Sequence, residues 1–161
     1  MRGMFFDLGG TLFSYRNVPR ATVPLLLEAV QRLRIDRSPA QIKQAYADAG
    51  RDMTLAYADK AYYLHRDFFQ DTFARFVSLL DTPAAAEVED WYDAAHRVAI
   101  TDCLVLKDDC HSTLAHLKER GLYLSVVSNI DDDMLEPLIA RAGLDRYLDH
   151  MEALIHAMRE K

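Results

Sequence analysis

Asp7 ends the apolar run Gly3-Met4-Phe5-Phe6, and Leu8, the pair Gly9-Gly10 and Thr11 follow it. The run reads as a short buried strand that the two glycines break. A second polar pair, Ser128-Asn129, ends the run Leu122-Tyr123-Leu124-Ser125-Val126-Val127. Large apolar and β-branched residues make that run a strand as well. In open α/β sheets, ligands bind beyond the carboxyl ends of the strands. A carboxylate placed there can act as a nucleophile. Hydroxyls can donate to a ligand's oxygens, and a glycine lets the backbone come close.

The elements that must position these groups change character along the chain. Residues 14–101 carry helical signals and almost no strand signal. Thr22 can cap a helix running to about Leu33. Ser38-Pro39-Ala40-Gln41 is a capping box with Pro at the first helical position, and it opens a helix to about Ala58. Asp59 to Leu80 reads as one long helix whose apolar face includes Tyr62, Tyr63, Phe68, Phe69, Phe73 and Phe76. Thr82-Pro83 starts a fourth helix, which contains Trp91 and reaches about Ile100. Beyond residue 102, a helix from Asp108 ends at Gly121, the strand to Val127 follows, and Asp131-Asp132-Asp133 opens a helix ending at Gly143. The three acids read as a solvated helix start. Strand, turn and helix in that order make a βα unit of a parallel sheet. The tail from Tyr147 has two readings: a helix face of Met151, Leu154, Ile155 and Met158, or a third strand over Leu148–Leu154.

Phe5-Phe6-Asp7-Leu8-Gly9-Gly10-Thr11-Leu12 resembles the first motif of the haloacid dehalogenase superfamily, and Val126-Val127-Ser128-Asn129 resembles the second. The helical insert between them looks like that family's cap. The resemblance implies an α/β fold: a Rossmann-like parallel core of residues 1–15 and 102–161, and an inserted α-helical cap of residues 16–101. It implies a hydrolase of phosphatase type that acts on a small phosphorylated substrate through an aspartyl-phosphate on Asp7. Mg²⁺ would be held by Asp7 and the Gly9 carbonyl. Gly10, Thr11, Ser128 and Asn129 would bind the phosphate.

The sequence departs from the family pattern twice. Gly9 stands where the phosphatases carry a second aspartate, the general acid. Such groups contribute about 10²–10⁴ in rate, so turnover of ordinary alkyl phosphates should be slow. Family branches that break C–Cl bonds also lack that acid, which keeps 2-haloacid dehalogenation open. Lys161 stands near the position of the family's catalytic lysine, and no in-chain substitute for the fourth, acidic motif is legible. The core is therefore expected to be incomplete at the C-terminus, either as a piece of a longer enzyme or as a non-catalytic relative that binds a phosphorylated ligand or a partner. A narrow sheet of two or three strands would expose an edge, and pairing with a second copy as a homodimer is expected of it.

Composition closes off other classes. A net charge of −6 argues against a nucleic-acid footprint. No apolar run reaches the roughly 18 residues of a membrane span. Cys103 and Cys110 form neither a disulfide framework nor a metal motif, which fits a cytoplasmic protein. The six histidines do not cluster, and Lys43 and Lys60 in the helical insert read as solvated charges.

Overall fold

A computed structural model describes residues 2–61, 63–83, 85–128 and 130–153. In chain order, β1 (Gly3–Phe6) and β2 (Phe13–Ser14) precede four helices. These are α1 (Val18–Arg32), α2 (Pro39–Tyr57), α3 (His65–Leu79) and α4 (Ala86–Cys103). Then come β3 (Val105–Leu106), α5 (Cys110–Glu119), β4 (Tyr123–Ser128), α6 (Asp132–Arg141) and β5 (His150–Ala153). The chain divides into two compact units, Met1–Val18 with Thr101–Lys161, and Pro19–Ile100.

The first unit is α/β. Its parallel sheet has the order β1-β4-β5, with Gly3 opposite Tyr123, Phe6 opposite Val126, and Ser125 opposite His150. β4 is the middle strand, and its Leu124, Ser125, Val126 and Ser128 are buried. A parallel strand covered on both faces needs a near-continuous apolar sequence, which is why this segment does not alternate. Leu114 of α5 and Leu138 and Ile139 of α6 are buried in the same unit. Both helices stop as their glycines dictate. Gly121 has φ +71°, its N–H meets the Lys118 carbonyl, and Leu122 N–H meets the Leu117 carbonyl. That paired closure needs a left-handed residue, and glycine adopts it without a Cβ clash. The tail's two readings resolve to a strand, since β5 pairs with β4 over His150–Ala153; Leu154, Ile155 and Met158 lie outside the described residues. The short antiparallel pair β2–β3, with Phe13 opposite Leu106, was not expected. Two residues per strand leave no periodicity to read.

The second unit is built from helices around Leu26, Ala29, Ile42, Ala45, Ala49, Phe73, Phe76, Val77 and Tyr92. The capping box closes as expected: Gln41 N–H donates to Ser38 Oγ, and Ser38 N–H donates to Gln41 Oε1 at 3.0 Å. Three boundaries differ from expectation. α1 begins at Val18 rather than near Thr22, and α4 at Ala86 rather than at Thr82-Pro83. Asp59–Ala61 and Tyr63–Leu64 are not helical, and α3 begins at His65; Tyr62 lies outside the described residues. There the Tyr57 ring meets Tyr63 at 4.9 Å and Phe68 at 5.4 Å, both edge-on. Tyr57 also donates its O–H to Asp71 at 2.5 Å. Those contacts require the chain to double back between α2 and α3, and tertiary packing overrides the helical pattern. Lys60 is not simply solvated: its ammonium lies 3.3 Å from the centre of the Tyr57 ring, a cation–π contact.

Candidate active site at the ends of β1 and β4

β1 delivers the chain to Asp7, and β4 ends at Ser128. Because Phe6 is level with Val126, the residues that follow the two parallel strands emerge at the same, carboxyl end of the sheet. Ser128 Oγ donates to Asp7 Oδ1 at 2.9 Å, and Leu8 N–H donates to the same oxygen at 2.8 Å. Both bonds fall on Oδ1, and among the described residues no hydrogen bond falls on Oδ2, which leaves that oxygen available to a ligand. Asp7 is exposed, whereas Ser128 is 3% exposed. A buried hydroxyl with a fixed partner holds the carboxylate's rotamer, and an exposed second oxygen can react.

The loop that follows is tightly bonded. The Leu8 carbonyl accepts from Leu12 N–H at 2.9 Å and from Phe13 N–H at 3.0 Å. Gly10 has φ +76°, and its N–H reaches the Phe13 carbonyl at 2.8 Å. Leu8, Leu12 and Phe13 are anchored in the core at 1%, 4% and 1% exposure. Apolar anchors therefore hold a loop whose polar members, Gly9, Gly10 and Thr11, face outward. Thr11 is exposed. None of these loop bonds uses the Gly9 carbonyl.

Of the residues singled out from sequence, the structure brings Asp7 and Ser128 into direct contact and places Gly9, Gly10 and Thr11 in the same loop. Asn129 and Lys161 lie outside the described residues. Asp131 departs from expectation: it is the N-cap residue of α6 and is 3% exposed, so it is not a solvated charge.

Two further residues approach the loop without any sequence signal to announce them. Lys107 donates through Nζ to the Gly10 carbonyl, while its own N–H reaches the Leu12 carbonyl at 2.9 Å. Its route there is the β2–β3 pair. Tyr15 lies against Gly9, where a Cβ on residue 9 would fall 1.6 Å from the phenol oxygen. Burial raises the Tyr15 pKa above its usual 10.0, and the charge of Asp7 raises it further. The phenol is thus a neutral proton-bearing group at working pH.

The donor set suits a hard cation. Asp7 Oδ2 and the Gly9 carbonyl, on which no hydrogen bond falls among the described residues, are both oxygen donors, and Mg²⁺ takes one or two carboxylates and fills its other positions with water and substrate. Among the described residues no group of three or more His, Cys, Asp or Glu is placed to hold a metal.

Comparison with known proteins agrees with this architecture. The model of the haloacid dehalogenase-like hydrolases matches residues 1–155. A search of the curated proteins finds no match. Among solved structures, the L-2-haloacid dehalogenase RSc1362 is 24% identical with a TM-score of 0.59, over 97% of this chain and 65% of that one. The HAD-hydrolase YfnB from Bacillus subtilis, bound to magnesium, is 14% identical with a TM-score of 0.67, over 93% and 62%. A predicted phosphoglycolate phosphatase from Haemophilus somnus is 16% identical with a TM-score of 0.60, over 94% and 61%. The chain thus spans less than two thirds of the structures it resembles, and at these identities the likeness is one of fold. The family match runs through β1, β4 and all that lies between them, and on that ground the chain belongs to the haloacid dehalogenase-like hydrolases.

Proposed function

We propose that the chain is an aspartate-nucleophile hydrolase of phosphatase type, acting on a small phosphorylated metabolite. The observation that carries this reading is the 2.9 Å bond from Ser128 to Asp7 Oδ1, which orients the carboxylate and leaves Oδ2 to react. Asp7 Oδ2 would form a bond to phosphorus as the ester P–O bond breaks and its electron pair goes to the leaving oxygen. Water would then attack the phosphorus and return Asp7 as a carboxylate. Gly10 N–H is engaged within the loop, so Thr11 and the Asn129 backbone are the proposed holders of the phosphate oxygens. Asp7 and the Gly9 carbonyl would hold Mg²⁺, which supplies charge neutralisation when bound. The helical unit Pro19–Ile100 is proposed as the cap that selects the substrate, and Lys161 as the lysine that steadies the nucleophile. With no carboxyl on residue 9, the reading favours substrates with good leaving groups. A cytoplasmic setting is proposed from the two free thiols, Cys103 and Cys110.

The test is hydrolysis of an aryl phosphate with Mg²⁺ present, comparing the wild type with Asp7→Asn. The expected outcome is a loss of about 10³-fold or more in kcat, as for removal of other catalytic nucleophiles. Equal rates in the two proteins sink the reading. Binding of beryllium fluoride that Asp7→Asn abolishes, with no turnover, moves the chain to the non-catalytic, ligand-binding alternative. The glycine at position 9 also favours a second reading, 2-haloacid dehalogenation. There Asp7 attacks carbon and the halide leaves with the bonding pair, so no acid is needed. Halide release in the presence of a chelator would establish it.

A further inference from the structure

The phenol of Tyr15 and a side chain at residue 9 compete for one space. A Cβ built on Gly9 would lie 1.6 Å from Tyr15 Oη, 2.4 Å from Cζ and 3.0 Å from Cε2. The first two are shorter than non-bonded contact allows, and the third is tight. Tyr15 follows β2 in the same compact unit as Asp7, and the negative charge of Asp7 acts on it. Its ring is held between core and solvent, with 53% of the residue exposed. Asp7 Oδ1 is filled by Leu8 N–H and Ser128 Oγ, and Tyr15 Oη has no hydrogen-bond partner among the described residues. A phenolic O–H thus stands unengaged against Gly9, two positions along the chain from the exposed Asp7.

We propose that Tyr15 is a ligand-positioning residue of the Asp7 site: its phenol fills the space a side chain at residue 9 would need and donates its O–H to an anionic oxygen of the ligand that faces Asp7. The packing half stands on the geometry of residues 9 and 15 alone. The ligand half rests on the Asp7 reading above. It explains how the loop dispenses with a side chain at residue 9. The polar group arrives instead from six residues downstream, turned back by the bonds that close residues 8–13. Either a phosphate or a carboxylate would offer the oxygen, so the two are titrated separately.

A double-mutant cycle of Gly9→Ala, Tyr15→Ala and both together tests the packing half by thermal unfolding. Gly9→Ala should lower the Tm of the wild type by about one degree more than that of the Tyr15→Ala chain, a small difference because the phenol is the exposed far end of a side chain that can swing aside. Equal shifts in the two backgrounds, zero included, overturn it. The ligand half is tested with Tyr15→Phe, which keeps the ring and removes the hydroxyl. Inorganic phosphate with Mg²⁺, and propionate without it, are titrated against the wild type, Tyr15→Phe and Asp7→Asn. The Kd of the ligand that Tyr15 contacts should rise about 3- to 10-fold in Tyr15→Phe, the loss of one hydrogen bond, at unchanged Tm. Identical affinities for both ligands in wild type and Tyr15→Phe overturn the donor role. If neither ligand binds the wild type, the Asp7 reading falls and the donor role with it, and the unfolding cycle still decides the packing.

Discussion

At the residue scale, the chemistry depends on one oxygen of Asp7 being fixed and the other left exposed. Ser128 achieves this because it is buried at the end of the central strand β4 while Asp7 is exposed. His96 shows the opposite arrangement, a titratable group held away from water. It is 4% exposed, between the rings of Phe69 at 4.8 Å and Tyr92 at 5.5 Å. The cavity beside it, about 270 Å³, is also lined by Asp71, Glu89, Asp90 and Asp93. Burial lowers its pKa below 6.5, and Asp93 opposes that shift. The folded chain therefore resists a proton that the unfolded chain accepts. The His96 contribution to stability should be flat above about pH 6.5 and fall as pH drops from there toward the lowered folded value, with a slope of at most about 1.4 kcal/mol per pH unit for one proton. Denaturant unfolding between pH 7.5 and 5 measures it, and His96→Leu should flatten that part of the profile. An unchanged slope in His96→Leu would place the acid sensitivity elsewhere.

At the element scale, each boundary is set by whichever constraint is stronger, local or tertiary. The start of α2 is local. Its Ser38 side chain accepts Gln41 N–H, and Gln41 returns a bond to the Ser38 backbone. Ser38→Ala should cost about 0.5–2 kcal/mol, visible as earlier hydrogen exchange in the first turn of α2. Exchange unchanged in that turn would mean that Pro39 alone suffices to start the helix. The start of α3 is tertiary. The rings of Tyr57, Tyr63 and Phe68 meet because α2 stops at Tyr57 and α3 starts only at His65.

At the scale of the whole molecule, the described sheet ends in two edges, β1 and β5. On β1, Phe5 is 74% exposed and Met4 43%. An apolar strand with an unpaired edge is a template for another strand. The chain should therefore self-associate as its concentration rises, and Phe5→Lys should shift that association to higher concentration in sedimentation velocity. A wild type that stays monomeric throughout, or a Phe5→Lys chain that associates equally, counts against an adhesive β1 edge. No helix among the described residues is long and apolar enough to cross a membrane. The net charge of −6 is spread over a chain with two cores, one around β4 and one around Phe73 and Phe76.

The sequence by itself determined what depends on neighbours a few residues apart. The strand before Asp7, the glycine break, the capping box at Ser38, the helix stops at Gly121 and Gly143 and the apolar run of β4 are all short-range signals. Parallel pairing of β1 with β4 followed from the strand–turn–helix order. Only the tertiary structure decided which groups meet. Ser128 lies 121 residues from Asp7, and their 2.9 Å contact depends on strand register. Tyr15 and Lys107 come to the loop through a two-residue pairing of β2 with β3, too short to leave a pattern. The burial of Asp131 and the strand β5 were undecidable for the same reason. A helix cap or a tail of mixed residues reads alike whether it faces water or a packed sheet, and only the packing partner tells them apart.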